Sequence, residues 1–165
     1  MDIKQVTDPA EKETISRTVL EGLRDWFEID DTREAYIRQS RDRVFFAAFE
    51  KEKPVGFLCL KETGKQTVEL AVMGVLKPFH RTGIGRKLFT AAAGYAREAG
   101  YQFMQVKTVR EGIYPDYDAT NRFYRSLGFN ELEVFPDYWD KDNPCQIYIM
   151  YLQNAASGIG FRPSR

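Results

Sequence analysis

Apolar positions change period along this chain, and the changes outline the elements. Residues 3–6, bounded by Ile3 and Val6, predict a short strand. Asp8-Pro9-Ala10-Glu11 then sets an N-cap acid, a proline at the first helical position and an early acid, so a helix follows to about Leu23. Asp30-Asp31-Thr32 can cap a second helix through Arg38. Val44–Glu50 and residues 55–61 are apolar and aromatic runs around Lys51 and Pro54, the pattern of a hairpin. Residues 62–66, with Gly64, make the next turn, and Thr67–Val75 the next strand.

Period two gives way to helical spacing after Gly83. Leu88, Ala92, Tyr95 and Ala99 recur on one stripe, and Gly100 is placed to end that helix. Residues 101–109 form a strand. Asp118 can cap a helix to Leu127, with Gly128 as its stop and Phe129 folding back on Phe123 and Tyr124. Residues 132–135 and 145–152 are the last strands. The order is β, α, α, an antiparallel meander, then β-α-β-α-β-β. It predicts an α/β (α+β mixed) domain over residues 1–152: one central, mostly antiparallel sheet of about seven strands with about four helices. Residues 153–165, QNAASGIGFRPSR, are small and polar and form a tail.

Composition narrows the chemistry. The chain has 165 residues, 43% hydrophobic and 29% charged, a globular balance sufficient for one core. Lys plus Arg and Asp plus Glu are both 24, so no net charge draws the chain to nucleic acid or anionic membrane. Cys59 and Cys145 sit apart in apolar runs, without the spacing of a metal site, and are expected to be core thiols. The opening MDIKQVTDPAEKE is too charged for a signal peptide, and the expectation is a cytoplasmic protein.

The strongest local signal is residues 75–88, VLKPFHRTGIGRKL. A strand leads through a Pro78 turn to Gly83-Ile84-Gly85 at the start of a helix. Helix starts present unpaired N–H groups and partial positive charge, and Arg81, Arg86 and Lys87 add to it, so a phosphate or pyrophosphate is expected. A dinucleotide fingerprint needs a third glycine where Leu88 stands and an acid after the next strand, where Lys107-Thr108-Val109 supplies none. The lysine and hydroxyl pattern of a P-loop is absent too. The same glycines would also serve a purely structural helix start.

With the downstream segment 118–129, DATNRFYRSLGF, the chain resembles the GNAT superfamily of acetyl-CoA-dependent N-acetyltransferases. Their Q/R-x-x-G-x-G/A motif corresponds here to His80, Gly83 and Gly85, with histidine in place of Gln or Arg. The resemblance implies that the amides of Arg81, Thr82, Gly83, Ile84, Gly85, Arg86 and Lys87 hold the pyrophosphate of acetyl-CoA. It also implies that Met73 and Val75 pair through their backbones with the pantetheine arm. Tyr124 takes the place beside the thioester sulfur, and Asn121, further along than the family's usual asparagine, is a further candidate contact. No metal is implied.

Aminolysis of a thioester also needs a base. Strand alternation puts Glu69 on one face with Ala71, Met73 and Val75, unless a bulge at Gly74 shifts the register. Glu69 is therefore the candidate base, although a salt-bridged strand acid would look the same. The N–H of Val75 is the candidate oxyanion donor. Trp26, Glu28, Tyr114, Tyr138 and Trp139, with nearby acids, are candidates for binding a cationic acceptor: a small polyamine, an aminoglycoside-like compound or a lysine side chain. The expected activity is transfer of acetyl to a primary amine by direct attack in a ternary complex. A non-catalytic acyl-CoA-binding module is the alternative. The final strands and the tail could pair across a two-fold axis, so monomer and homodimer both remain open.

Overall fold

The computed structural model describes residues 1–152; the expected tail lies outside them. Seven strands and four α-helices alternate as β1 (Asp2–Val6), α1 (Pro9–Glu21), α2 (Asp30–Ser40), β2 (Val44–Glu50), β3 (Lys53–Gly64), β4 (Thr67–Val75), α3 (Ile84–Glu98), β5 (Phe103–Val109), α4 (Pro115–Leu127), β6 (Asn130–Asp140) and β7 (Asn143–Tyr151). A single sheet runs β1-β2-β3-β4-β5-β7-β6, antiparallel at every pairing except β4 with β5. The expected mixed, mostly antiparallel fold is therefore present, with a 3₁₀ turn at Lys77–Phe79 ahead of α3.

Each face of the sheet carries its own core. On one side Leu58, Leu60, Val68, Leu70, Met104 and Val106 pack under Leu88, Phe89 and Ala92 of α3. On the other, Phe45, Phe57 and Val72 pack under Ile15, Val19 and Leu20 of α1 and Ile37 of α2. Phe45 and Phe57 stack, with centroids 5.1 Å apart. Cys59 and Cys145 are buried free thiols. Burial pushes the Cys59 thiol up to about 12, so it stays protonated and unreactive at neutral pH. No helix among the described residues is long and apolar enough to cross a membrane.

Several element boundaries differ from the expectation. Helix α4 starts at Pro115 rather than after Asp118, because proline suits the first helical turn; the Asp118 carboxylate accepts instead from the Gly112 N–H at 2.7 Å. Helix α2 has Ile29 at its N-cap with no side-chain cap, and Asp30 pairs with Arg33. Strand β6 is more than twice the expected length and carries Pro136, which its position at the sheet edge tolerates.

Two irregularities interrupt β4. Cys59 pairs with Val72 and Leu60 with Leu70, so Ala71 is an unpaired bulge residue. The parallel pairing of β4 with β5 covers only Thr67–Glu69 against Phe103–Gln105, after which the strands are no longer paired. Strand β4 stays paired with β3, and β5 with β7. From Leu70 onward β4 thus has a free edge inside the sheet.

Candidate active site

The free edge of β4 is polar in a defined way. The Leu76 N–H donates to the Val55 carbonyl at 2.8 Å. Successive residues of a strand point their amides to opposite sides, so the backbone groups of Val75 and Met73 face the side that β5 has left. His80 takes one of them: its Nε2 lies 2.5 Å from the Val75 carbonyl oxygen and donates to it. The ring also meets Trp26 edge-on at 5.7 Å. The Val75 N–H and both backbone groups of Met73 remain on the open edge.

Helix α3 begins at the end of this strand. Gly83 is its N-cap, at φ +85°, and gives no side-chain cap. The first helical bond runs from the Lys87 N–H to the Gly83 carbonyl at 3.1 Å, leaving the amides of Ile84, Gly85 and Arg86 without acceptors in the helix. Arg81, at φ +62°, and Gly83 both lie in the left-handed region, a backbone form that turns successive N–H groups toward one concavity. Thr82 Oγ closes the turn on the Phe79 carbonyl at 2.5 Å. Arg81 and Lys87 are exposed, whereas Arg86 reaches across to Ser126 of α4 at 3.2 Å. The two glycines have different tasks. A Cβ at Gly85 would come within 2.9 Å of Met73 Cε and 3.1 Å of Phe123 Cζ, so this glycine lets α3 sit close to β4 and α4. A Cβ at Gly83 would meet nothing, and the constraint there is conformational. Gly83→Ala is expected to cost about 1–2 kcal/mol in left-handed strain, read by thermal unfolding.

Tyr124 sits on the same side of the sheet, 8% exposed, with ring contacts to Phe123, Phe129 and Tyr148. Gly128 (φ +104°) closes α4, and the Phe129 N–H returns to the Tyr124 carbonyl at 3.2 Å. Burial, and then the neighbouring Tyr117, push the Tyr124 phenol far above its ordinary value, so its proton is retained at any working pH.

Asn121 is placed otherwise than expected. It is fully buried; its Nδ2 donates to the carbonyls of Val109 (2.9 Å) and Tyr117 (2.7 Å), and its Oδ1 accepts from the Tyr148 hydroxyl at 2.7 Å. With those bonds made, its side chain has nothing to offer a ligand, and it instead ties α4 to β5 and β7. Asn121→Ala removes three buried hydrogen bonds and takes away the acceptor of the Tyr148 hydroxyl proton, with an expected loss of about 2–4 kcal/mol in urea unfolding.

The bulge at Ala71 corrects the expected face of Glu69. Val68 and Leu70 pack toward α3, as do Met73 and Val75, while Ala71 and Val72 pack toward α1 and α2. Glu69, between Val68 and Leu70, therefore looks to the α2 side. There it is 9% exposed and lines a cleft of about 180 Å³ with Tyr36, Lys107, Tyr138 and Trp139. Lys107 Nζ donates to Glu69 Oε1 at 3.0 Å and stands 5.7 Å from the centre of the Tyr138 ring. Burial, Glu69 and Tyr138, in that order, push the Tyr36 phenol up. Burial, and then Tyr36, push the Tyr117 phenol up as well.

Of the expected acceptor residues, Tyr138 and Trp139 line this cleft. Trp26 packs on His80 at the far end of β4, and Glu28 and Tyr114 are exposed elsewhere. Tyr36, Arg43, Lys61 and Lys107 also line the cleft and were not expected there. Lys107 comes there because it lies on the same face of β5 as Gln105, which pairs with Glu69.

The geometry is thus a strand edge opened in mid-sheet, with a helix start of unpaired amides on one face and an acid-bearing aromatic cleft on the other. Comparison with known proteins agrees with the fold. An uncharacterized N-acetyltransferase, YsnE, of Bacillus subtilis (strain 168) is 25% identical over 100 residues, 61% of this chain and 64%, less than two thirds, of that relative. A GNAT-family structure from Desulfovibrio desulfuricans superposes with a TM-score of 0.81 at 19% identity, over 92% of this chain and 99% of its own. An aminoglycoside 6'-N-acetyltransferase complexed with coenzyme A gives 0.74 at 18% identity, over 93% and 98%. Ard1 from Thermoplasma volcanium gives 0.73 at 18%, over 92% and 97%. At such identities the structures establish a shared fold. The sequence profile of the acetyltransferase (GNAT) family matches residues 13–129, most of the chain, and the protein belongs to that family of acyltransferases.

Proposed function

We propose that the chain transfers an acetyl group from acetyl-CoA to a primary amine by direct attack in a ternary complex. The observation that carries this reading is the opening between β4 and β5, with the α3 helix start on one face of the sheet and the Glu69 cleft on the other. The pyrophosphate lies on the amides of residues 81–87, and the pantetheine arm runs along Met73 as an added strand. With the Val75 carbonyl held by His80, the Val75 N–H is left to pair with the pantetheine arm. The amine enters from the opposite face. Glu69, directly or through one water, takes the ammonium proton, and the freed lone pair attacks the thioester carbon. The C–S bond breaks, and the nitrogen's second proton reaches the thiolate through water and the Tyr124 hydroxyl, which gives one proton as it takes another.

Release of the coenzyme A thiol from acetyl-CoA, measured over a panel of primary amines, tests this. Amine-dependent release is expected. Tight acetyl-CoA binding with no release on any amine would instead favour the non-catalytic acyl-CoA module.

A further inference from the structure

The charges around the Glu69 cleft are not those expected for a polycationic acceptor. Three cationic side chains line it, Arg43, Lys61 and Lys107, against the single carboxylate of Glu69. Lys107 is matched to Glu69 by their ion pair. Arg43 and Lys61 have no ion-pair partner among the described residues, and Arg43 is half-buried. A half-buried guanidinium facing an aromatic-walled cleft is under-used unless something anionic meets it, since its fork of donors matches a carboxylate. The acids that would attract a polycation, among them Glu28, Asp30 and Asp31, are absent from the lining. At about 180 Å³ the cleft is also smaller than the roughly 300–1,000 Å³ typical of drug-sized ligand sites.

We infer that the acceptor is a small zwitterionic amine of amino-acid type, its carboxylate held by Arg43 with help from Lys61 while its amine reaches Glu69. Tyr36, Tyr138 and Trp139 provide apolar walls, which suits an amino acid with an aromatic or bulky apolar side chain. This inference rests on the acetyl-transfer reading of the same site. The spatial division is what makes it specific: the acid that must accept a proton already has its counter-ion in Lys107, and the two remaining cations are left for the part of the acceptor that does not react.

The test compares matched amines differing only in the anion: phenylalanine with its amide and with phenethylamine, tryptophan with tryptamine, and spermidine as the polycation. Coenzyme A release gives the rates, and calorimetry on the coenzyme A-loaded protein gives binding independently of turnover. The carboxylate-bearing member of each pair is expected to lead in kcat/KM by about tenfold or more, the scale of one charge-assisted hydrogen bond. Arg43→Gln should raise KM for the carboxylate amines and bring the members of each pair together. Lys61→Gln, an exposed change that leaves folding alone, should shrink the gap in the same direction. Spermidine or the neutral amines leading, or a carboxylate preference that survives both substitutions, would overturn the inference and leave acetyl transfer standing. Carboxylate-dependent binding without release on any amine would uphold the anion site and remove the transfer reading. No binding and no release would remove both.

Discussion

Tyr124→Phe is expected to lower kcat by about 10²-fold or more, the range of a lost proton donor, while acetyl-CoA still binds within about threefold of the unaltered chain. The reason is geometric. The ring fills a pocket among Phe123, Phe129 and Tyr148, and phenylalanine fills the same space, so the helix and the core below it stay as they are. Only the hydroxyl is lost. Burial keeps that hydroxyl protonated, which is the state needed to give a proton to a departing thiolate. A phenol poised in this way makes its largest difference when charge collects on sulfur, and little before. Pre-steady-state release of coenzyme A against equilibrium binding separates the two effects. Unchanged turnover in the variant would take Tyr124 out of the chemistry.

Glu69→Gln is expected to lower kcat/KM by about 10²-fold and to flatten or displace the rise of rate with pH. Glutamine cannot take the ammonium proton, so only amine already deprotonated by solvent remains reactive. The substitution also leaves Lys107 without its partner in a partly buried place, with an expected stability loss of about 1–3 kcal/mol. The double variant Glu69→Gln, Lys107→Met separates the two consequences. It should recover stability, because neither charge is then left alone, but not rate. An unaltered pH profile in the single variant would point to another base or to a water relay.

The periodic elements were legible because local sequence dictates them. The stripe of Leu88, Ala92 and Tyr95, the stop at Gly128 and the proline-led start of α1 all act within a few residues. The start of α3 was legible for the same reason, since Gly83 and the amides after it lie together in the chain. The bulge at Ala71 was not legible. A single extra residue in one strand is fixed by the register against β3, and it moved Glu69 to the opposite face from Met73. The role of Asn121 was also hidden, because its partners, Val109 and Tyr148, come from two other strands. Arg43, Lys61 and Lys107 lie on or beside three different strands, and only the folded sheet brings them to one cleft. Acids near the aromatics in sequence therefore gave no sign of the cations that line the cleft. The residues closest in sequence to Trp26 and Tyr114 are not those closest to Glu69.

In the proposed complex, acetyl-CoA occupies the opening between β4 and β5 with its pyrophosphate on the start of α3. A crystal grown with acetyl-CoA tests this most directly. The electron density is expected to place the pyrophosphate on the amides of residues 81–87, the pantetheine arm beside Met73, and the sulfur within hydrogen-bonding reach of the Tyr124 hydroxyl. Density with the pyrophosphate away from α3, or with the sulfur remote from Tyr124 and the opening empty, would contradict it.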